Sequence, residues 1–167
     1  ESLRALVVAA LAKGGLAGCA ITPDSNGHAT ISGTTIADSA FHQCYPLLSV
    51  TISDSVTSID DWAFAEATSL TSVTISDSVT SIGHGAFEAT ALTSVTIPDS
   101  VTSIGDDAFG QATALASVII GDSVTEIGTA AFGQVALTSV TIPDSVMYIG
   151  DWAFSEATSL TSVTISD

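Results

Sequence analysis

The side chains able to do chemistry in this chain are mostly carboxylates, and they recur at a fixed spacing. Asp54, Asp77, Asp99, Asp122, Asp144 and Asp167 follow one another every 22 or 23 residues. Asp38, Asp61, Asp106 and Asp151 form a second series, interrupted by His84. If the segments between them stack at the strand spacing of about 4.8 Å, neighbouring carboxylates repel unless they are screened or bound. Two uses fit: turn formation with solubility, or calcium held between coils. Calcium takes about six to eight oxygens, and one carboxylate per coil supplies too few. Neither an EF-hand loop nor a glycine-rich nonapeptide repeat is present, so turn formation is the expectation.

The remaining candidates are weaker. His28, His42 and His84 are scattered, and no His-x-x-x-His or Cys-x-x-Cys spacing occurs; no metal site is expected. Serine is abundant, but no Gly-x-Ser-x-Gly elbow appears. No glycine-rich phosphate loop follows a strand. The reading is therefore no enzyme, with no catalytic residues and no cofactor. Cys44 reads as a small buried thiol. The alternative is a Cys19–Cys44 bridge in an oxidising compartment. Trp62 and Trp152 precede Ala-Phe where other segments have Gly85, Asp107 or Ala130. That tolerance places them at the surface, as candidate partner-binding aromatics or as lids over the adjacent loop.

These residues ride on a repeat. Leu47, Leu70, Leu92, Leu115, Leu137 and Leu160 are 23, 22, 23, 22 and 23 residues apart, and such a period marks a solenoid. Each unit reads L-x-x-V-x-I-[SP]-D-S-V-x-x-I-[GD]-x-x-A-F. Val73 and Ile75 alternate with Ser72 and Thr74, which argues a short strand with Leu70, Val73 and Ile75 inward. Pro98 and Pro143 stop that strand in two units. The following Asp-Ser builds a turn, and the column Ser55, Ser78, Ser100, Ser123 and Ser145 is expected to hydrogen-bond along the stack. Val79 and Ile82 return to the core. Gly83, Gly105, Gly128 and Gly150, with Asp60 once in their place, are expected to adopt positive φ. Phe64, Phe87, Phe109, Phe132 and Phe154 form a buried aromatic column. The lost residue falls after the Phe: six positions separate Phe64 from Leu70, five separate Phe87 from Leu92.

Leu70-x-x-Val73-x-Ile75-x-x-Ser78 resembles the strand motif of the leucine-rich repeat family, with Ser where many members carry Asn or Cys. Ser-Val-x-x-Ile-Gly-x-x-Ala-Phe resembles its BspA-like subgroup, which often has a Cys three residues after the Phe, as at Cys44. The resemblance covers roughly residues 28–167. It implies an α+β repeat, mostly β: a curved right-handed leucine-rich-repeat solenoid with one short strand per coil on the concave face. It also implies a surface or secreted setting, a binding role, and no shared catalytic residues.

Solenoid ends need caps. Ser2 can cap a helix, Leu3, Leu6, Val7, Ala10 and Leu11 have helical spacing, and Gly14 and Gly15 end it. An N-terminal capping helix is expected over 2–13, within a cap and linker spanning 1–20. Residues 21–46 read as a degenerate first coil, with Ile36 and Phe41 aligned to Ile59 and Phe64. Residues 47–167 hold five full repeats and a partial sixth. Residues 160–167 show no cap, so further chain or another subunit is expected against that end. With Glu1 in place of Met, the sequence reads as a fragment or a processed product.

Composition narrows the partners. Hydrophobic residues are 46%, so the chain folds despite a net charge of −16. Arg4 and Lys13 are its only cations, so nucleic acid is excluded as a partner and an anionic membrane surface is disfavoured. The longest apolar run, near Ala5 to Ala12, is too short to span a bilayer. Ser and Thr, 24 and 22 of them, dominate the outward strand positions Ser72, Thr74, Ser94, Thr96, Ser117, Ser139 and Thr141, with Ile119 as one apolar defect. This face is the candidate binding surface for a protein partner, or a glycan, in an extracellular or cell-surface location, or an organelle lumen. A structural subunit of a larger assembly is the alternative, and an ice-binding threonine array a minor one.

Overall fold

A computed structural model describes residues 18–166; the helix expected over 2–13 lies outside them. The described chain is a stack of short parallel strands. On one face lie β1 (His28–Ile31), β3 (Ser49–Ile52), β5 (Ser72–Thr74), β7 (Ser94–Thr96), β9 (Ser117–Ile119), β11 (Ser139–Ile142) and β13 (Ser162–Ile165). On a second face lie β2 (Thr35–Ile36), β4 (Ser58–Ile59), β6 (Ser81–Ile82), β8 (Ser103–Ile104), β10 (Glu126–Ile127) and β12 (Tyr148–Ile149). There is no helix among the described residues. One correction follows: most coils carry two strands, not one. The second strand is only two residues long and has no period-two pattern to betray it. It exists because each coil meets a parallel copy of itself, as where Thr80 N donates to Thr57 O at 2.8 Å and Gly83 N to Ile59 O at 2.8 Å.

The second face is one continuous six-stranded sheet, whereas the first is divided into β1-β3-β5, β7-β9 and β11-β13. The divisions fall at the 22-residue steps. Across 23-residue steps the amide entering the first strand is firmly bonded to the preceding coil, Thr71 N to Leu48 O at 2.9 Å and Ala116 N to Thr93 O at 3.0 Å. Across the 22-residue step it stretches, Thr93 N to Thr71 O at 3.4 Å. The missing residue belongs to a tight turn after the Phe. Longer tails have Thr68 N donating to Glu66 O at 2.8 Å and Thr113 N to Gln111 O at 2.8 Å. Shorter tails omit this turn and place the β-branched Thr90 or Val135 inward, where longer ones have Ala67 or Ala112.

The core is a set of columns. Leu47, Leu70, Leu92, Leu115 and Leu137 are fully buried, as are Val56, Val79, Val101 and Val124. The rings of Phe41, Phe64, Phe87, Phe109, Phe132 and Phe154 stack with centroids 5.0–5.5 Å apart and planes within 9° of parallel. At the last described coil the inward positions lie open: Ile149, Val163 and Ile165 are 44%, 53% and 70% exposed.

The glycines correct a second expectation. Gly83, Gly105, Gly128 and Gly150 do not have positive φ. The left-handed residue comes two positions later, at Ser39, Trp62, Gly85, Asp107, Ala130 and Trp152. Another follows at Gln43, Glu66, Ala89, Gln111, Gln134 and Glu156. Side chains survive there because the amides are held by the next coil, as in Trp62 N to His84 O and Glu66 N to Glu88 O, both 2.8 Å. The glycine column answers to close approach instead: a Cβ on Gly105 would stand 2.6 Å from the Gly83 carbonyl carbon. Gly105→Ala is therefore expected to cost about 1–3 kcal/mol. Ala130→Gly relieves left-handed strain and is expected to be neutral or stabilising by up to about 1 kcal/mol. Urea unfolding of both variants checks the contrast, and the reverse order would refute this assignment of the two columns.

Residues 18–21 cover the first coil. Ala20 N donates to Ala40 O at 2.8 Å, the bond that Phe41 N makes with Ala63 O one coil on. Ala20 thus occupies the place of a Phe in a vestigial preceding coil. Cys19 and Cys44 are joined in a disulfide, so Cys44 is buried as expected but is not a free thiol.

Candidate functional site

The outward positions of the first face come into register. Ser49 pairs with Ser72 and Thr51 with Thr74, Ser94 with Ser117 and Thr96 with Ile119, Ser139 with Ser162 and Thr141 with Thr164. Strand alternation turns them outward while Val95, Val118 and Val140 fill the core. Ser72, Thr74, Ser94, Thr96, Ser117, Ile119, Ser139 and Thr141 are all exposed. None of these hydroxyls makes a side-chain hydrogen bond to another described residue, so their capacity is free for water or a ligand. Ile119, 61% exposed, is an apolar point in the middle of the array.

The corner columns beside the strands differ. Before the second face the hydroxyls of Thr57, Thr80, Thr102 and Thr125 each donate to the carbonyl of the Thr one coil before, at 3.0–3.2 Å, and before the first face Thr71 Oγ1 donates to Leu48 O and Thr161 Oγ1 to Thr138 O. These bonds serve the fold. The Ser column is used in part: Ser100 Oγ donates to Val79 O at 2.6 Å and Ser145 Oγ to Val124 O at 2.7 Å. Both follow the prolines Pro98 and Pro143, which offer no amide of their own.

The two Asp series act as staples between coils. Asp61 Oδ1 accepts from His84 N at 2.8 Å, Asp106 Oδ1 from Thr129 N at 2.7 Å, Asp99 Oδ1 from Asp122 N at 2.9 Å, and Asp54 Oδ1 from Ser76 Oγ at 2.8 Å. Among the described residues no group of three or more Asp, Glu, His or Cys converges on a point where a metal ion could sit. A shallow depression of about 350 Å³ is lined by Asp38, Ile59, Asp60, Asp61, Ser81 and Gly83. It pairs no nucleophile with a base.

The tail corner carries a polar network. Gln43 Nε2 donates to Glu66 Oε2 at 2.8 Å, His42 Nε2 lies 3.6 Å from Glu66 Oε1, and Gln111 Nε2 donates to Glu88 Oε1 at 2.8 Å. The Gln43 amide holds the Glu66 carboxyl below its ordinary value. Partial burial, then the charge of Asp107, pushes Glu88 up. Both groups are reached by solvent, so their effect on stability is small.

The two tryptophans are not brought together. Trp62 is half-buried: its ring fills the space over Gly85 and meets His84 edge-on, with centroids 4.4 Å apart and planes at 84°. It is a lid over the adjacent loop. Trp152, in the equivalent place of the last described coil, is 76% exposed. Sequence reasoning named His28 only as a scattered histidine and did not place it on the strand face. It stands on the outward face, its Nδ1 2.8 Å from Ser49 Oγ, in register with Ser49. Aligning Ile31 with Ile52 was the signal that would have found it.

Residues 34–161 match the family described as BspA type leucine rich repeat region, in six copies. No curated protein matches the chain. Among solved structures, a leucine rich cell surface protein from Faecalibacterium prausnitzii is 35% identical, with a TM-score of 0.57, over 81% of this chain and 43% of that one. A leucine rich repeat protein from T. pallidum is 26% identical, with a TM-score of 0.75, over 82% of this chain and 68% of that one. The pneumococcal vaccine antigen PcpA, 22% identical with a TM-score of 0.72 over 82% of this chain and 37% of that one, shares the fold. The chain thus spans less than half the length of the first and the third.

Proposed function

Because the chain belongs to the BspA type leucine-rich repeat family, we propose that it is a non-enzymatic recognition module of a cell-surface or secreted protein. Its binding face is the outward array Ser72, Thr74, Ser94, Thr96, Ser117, Ile119, Ser139 and Thr141. One observation carries this reading: these hydroxyls are exposed and uncommitted, whereas the corner threonines beside both sheets, such as Thr71, Thr80 and Thr161, are spent on carbonyls of the stack. A uniform array of small donors and acceptors suits an extended protein or glycan ligand, not a single small molecule. Two further facts support the setting. The similar Faecalibacterium protein is a cell surface protein, and the Cys19–Cys44 bridge belongs to an oxidising compartment.

The experiment is binding of the purified chain to a panel of extracellular matrix proteins and a glycan array. Thr74→Lys together with Thr96→Lys puts two long cations on the face without touching the core. This variant is expected to lose binding by about tenfold or more, with its melting temperature unchanged. Full retention of binding by the folded double variant would remove the strand face from the account.

A further inference from the structure

The second face changes character at a single coil. Its corner column reads Thr57, Thr80, Thr102, Thr125 and then Met147. The next column, outward on the sheet, reads Ser58, Ser81, Ser103, Glu126 and then Tyr148. Met147 keeps the backbone bond of the column, its N donating to Thr125 O at 2.9 Å, but the threonine hydroxyl is replaced by a thioether that is 83% exposed. Tyr148 is 54% exposed. This exposure differs in kind from that of Ile149. In coils stacked on both sides the Ile column is buried, as at Ile104 and Ile127, whereas Thr57, Thr80 and Thr102 stay exposed. Met147 therefore stays exposed whatever lies against the end of the stack, and Tyr148, whose column is half-buried at Ser58, Ser81 and Ser103 and exposed at Glu126, points outward by strand alternation with the inward Ile149. Nothing in the fold asks for an apolar pair there, since four preceding coils do without one.

The surroundings are acidic. Glu126 is the register partner of Tyr148. Asp122 and Asp144 stand on the turns leading into the two strands, and Asp151 follows β12 at Gly150; all four carboxylates are exposed. No cation stands among the described residues. We infer that Met147 and Tyr148 form a second docking point, separate from the strand face, for a protein segment in which apolar side chains alternate with Lys or Arg. The thioether and the phenol ring take the apolar side chains and stack against a cation, and the flanking carboxylates take the charge. A second copy of this chain is the wrong occupant, because it would bring its own net charge of −16 against this acidic rim.

The test uses a short synthetic peptide alternating leucine and lysine, with a lysine–serine peptide of equal charge as control, measured by fluorescence anisotropy at physiological salt. Met147→Thr with Tyr148→Ser restores the residues of the other coils and so keeps the fold. It is expected to weaken the leucine–lysine peptide about tenfold and to leave the weak binding of the control unchanged. Adding Thr102→Met and Ser103→Tyr to that variant is expected to restore binding two coils away. Thr74→Lys with Thr96→Lys is expected to leave it intact, which separates this site from the strand face. The inference is overturned if the wild-type chain does not prefer the leucine–lysine peptide, or if Met147→Thr with Tyr148→Ser binds it as tightly as wild type. It is also overturned if that variant instead abolishes a self-association of the wild-type chain.

Discussion

Phe87→Ala is expected to destabilise the protein by about 3–5 kcal/mol. Phe87 is fully buried and stacks on two rings, Phe64 at 5.0 Å and Phe109 at 5.3 Å. Its removal leaves a cavity that neighbours cannot close, because each coil is pinned to the next by backbone bonds such as Phe87 N to Ala108 O at 2.8 Å. In a stack whose stability is a sum of coils and nearest-neighbour interfaces, a central gap also uncouples the two halves. Urea denaturation followed by circular dichroism is expected to turn from one transition into two. Phe154→Ala supplies the comparison. Among the described residues that ring has a stacked neighbour on one side only, and it is not fully buried, so its loss is expected to cost less and to leave a single transition. Equal losses at the two positions would contradict the nearest-neighbour account.

Reducing the Cys19–Cys44 bridge is expected to cost about 3 kcal/mol, given the 25-residue separation it spans. The loss should be local in its first consequence. The bridge holds residues 18–21 over Phe41, with Cys19, Ala20 and Ile21 packed on the core. Without it the first coil has lost its cover, and the amides of Phe41 and Gln43, bonded to Ala63 and Ala65, are expected to exchange faster than those of Phe109 and Gln111. Cys19→Ser with Cys44→Ser should reproduce the effect without reductant. A melting temperature unmoved by reductant would show that the cap holds without the bridge.

Much of this architecture was legible because each inward residue is repeated. Leu70, Val79, Ile82 and Phe87 could be placed from spacing alone, and the short tail after Phe87 was visible as one missing residue. Features that arise only between coils were hidden. The two-residue strand Ser81–Ile82 has no pattern of its own and is made by its neighbours. The left-handed residues escaped because the usual marker, glycine, stands elsewhere: Gly83 and Gly105 are required by contact with the coil before, while Trp62 and Ala130 take positive φ under restraint from the coil after. The bridge stood only as the alternative to a buried thiol, because the meeting of Cys19 with Cys44 depends on how residues 18–21 fold back, which no repeat specifies. On the candidate face the register followed from the period. The contrast between the uncommitted outward hydroxyls of that face and the corner threonines spent on carbonyls, such as Thr71, Thr80 and Thr161, needed the hydrogen bonds.

The most direct measurement is photo-crosslinking from the surface itself. A photoreactive phenylalanine analogue is placed at Thr96 on the strand face and, separately, at Thr113 on the exposed tail loop. Each variant is irradiated with the matrix protein or immobilised glycan that the chain binds. The account predicts adducts from position 96 and none from position 113. Adducts from position 113 alone would contradict it and move recognition to the loops behind the sheet.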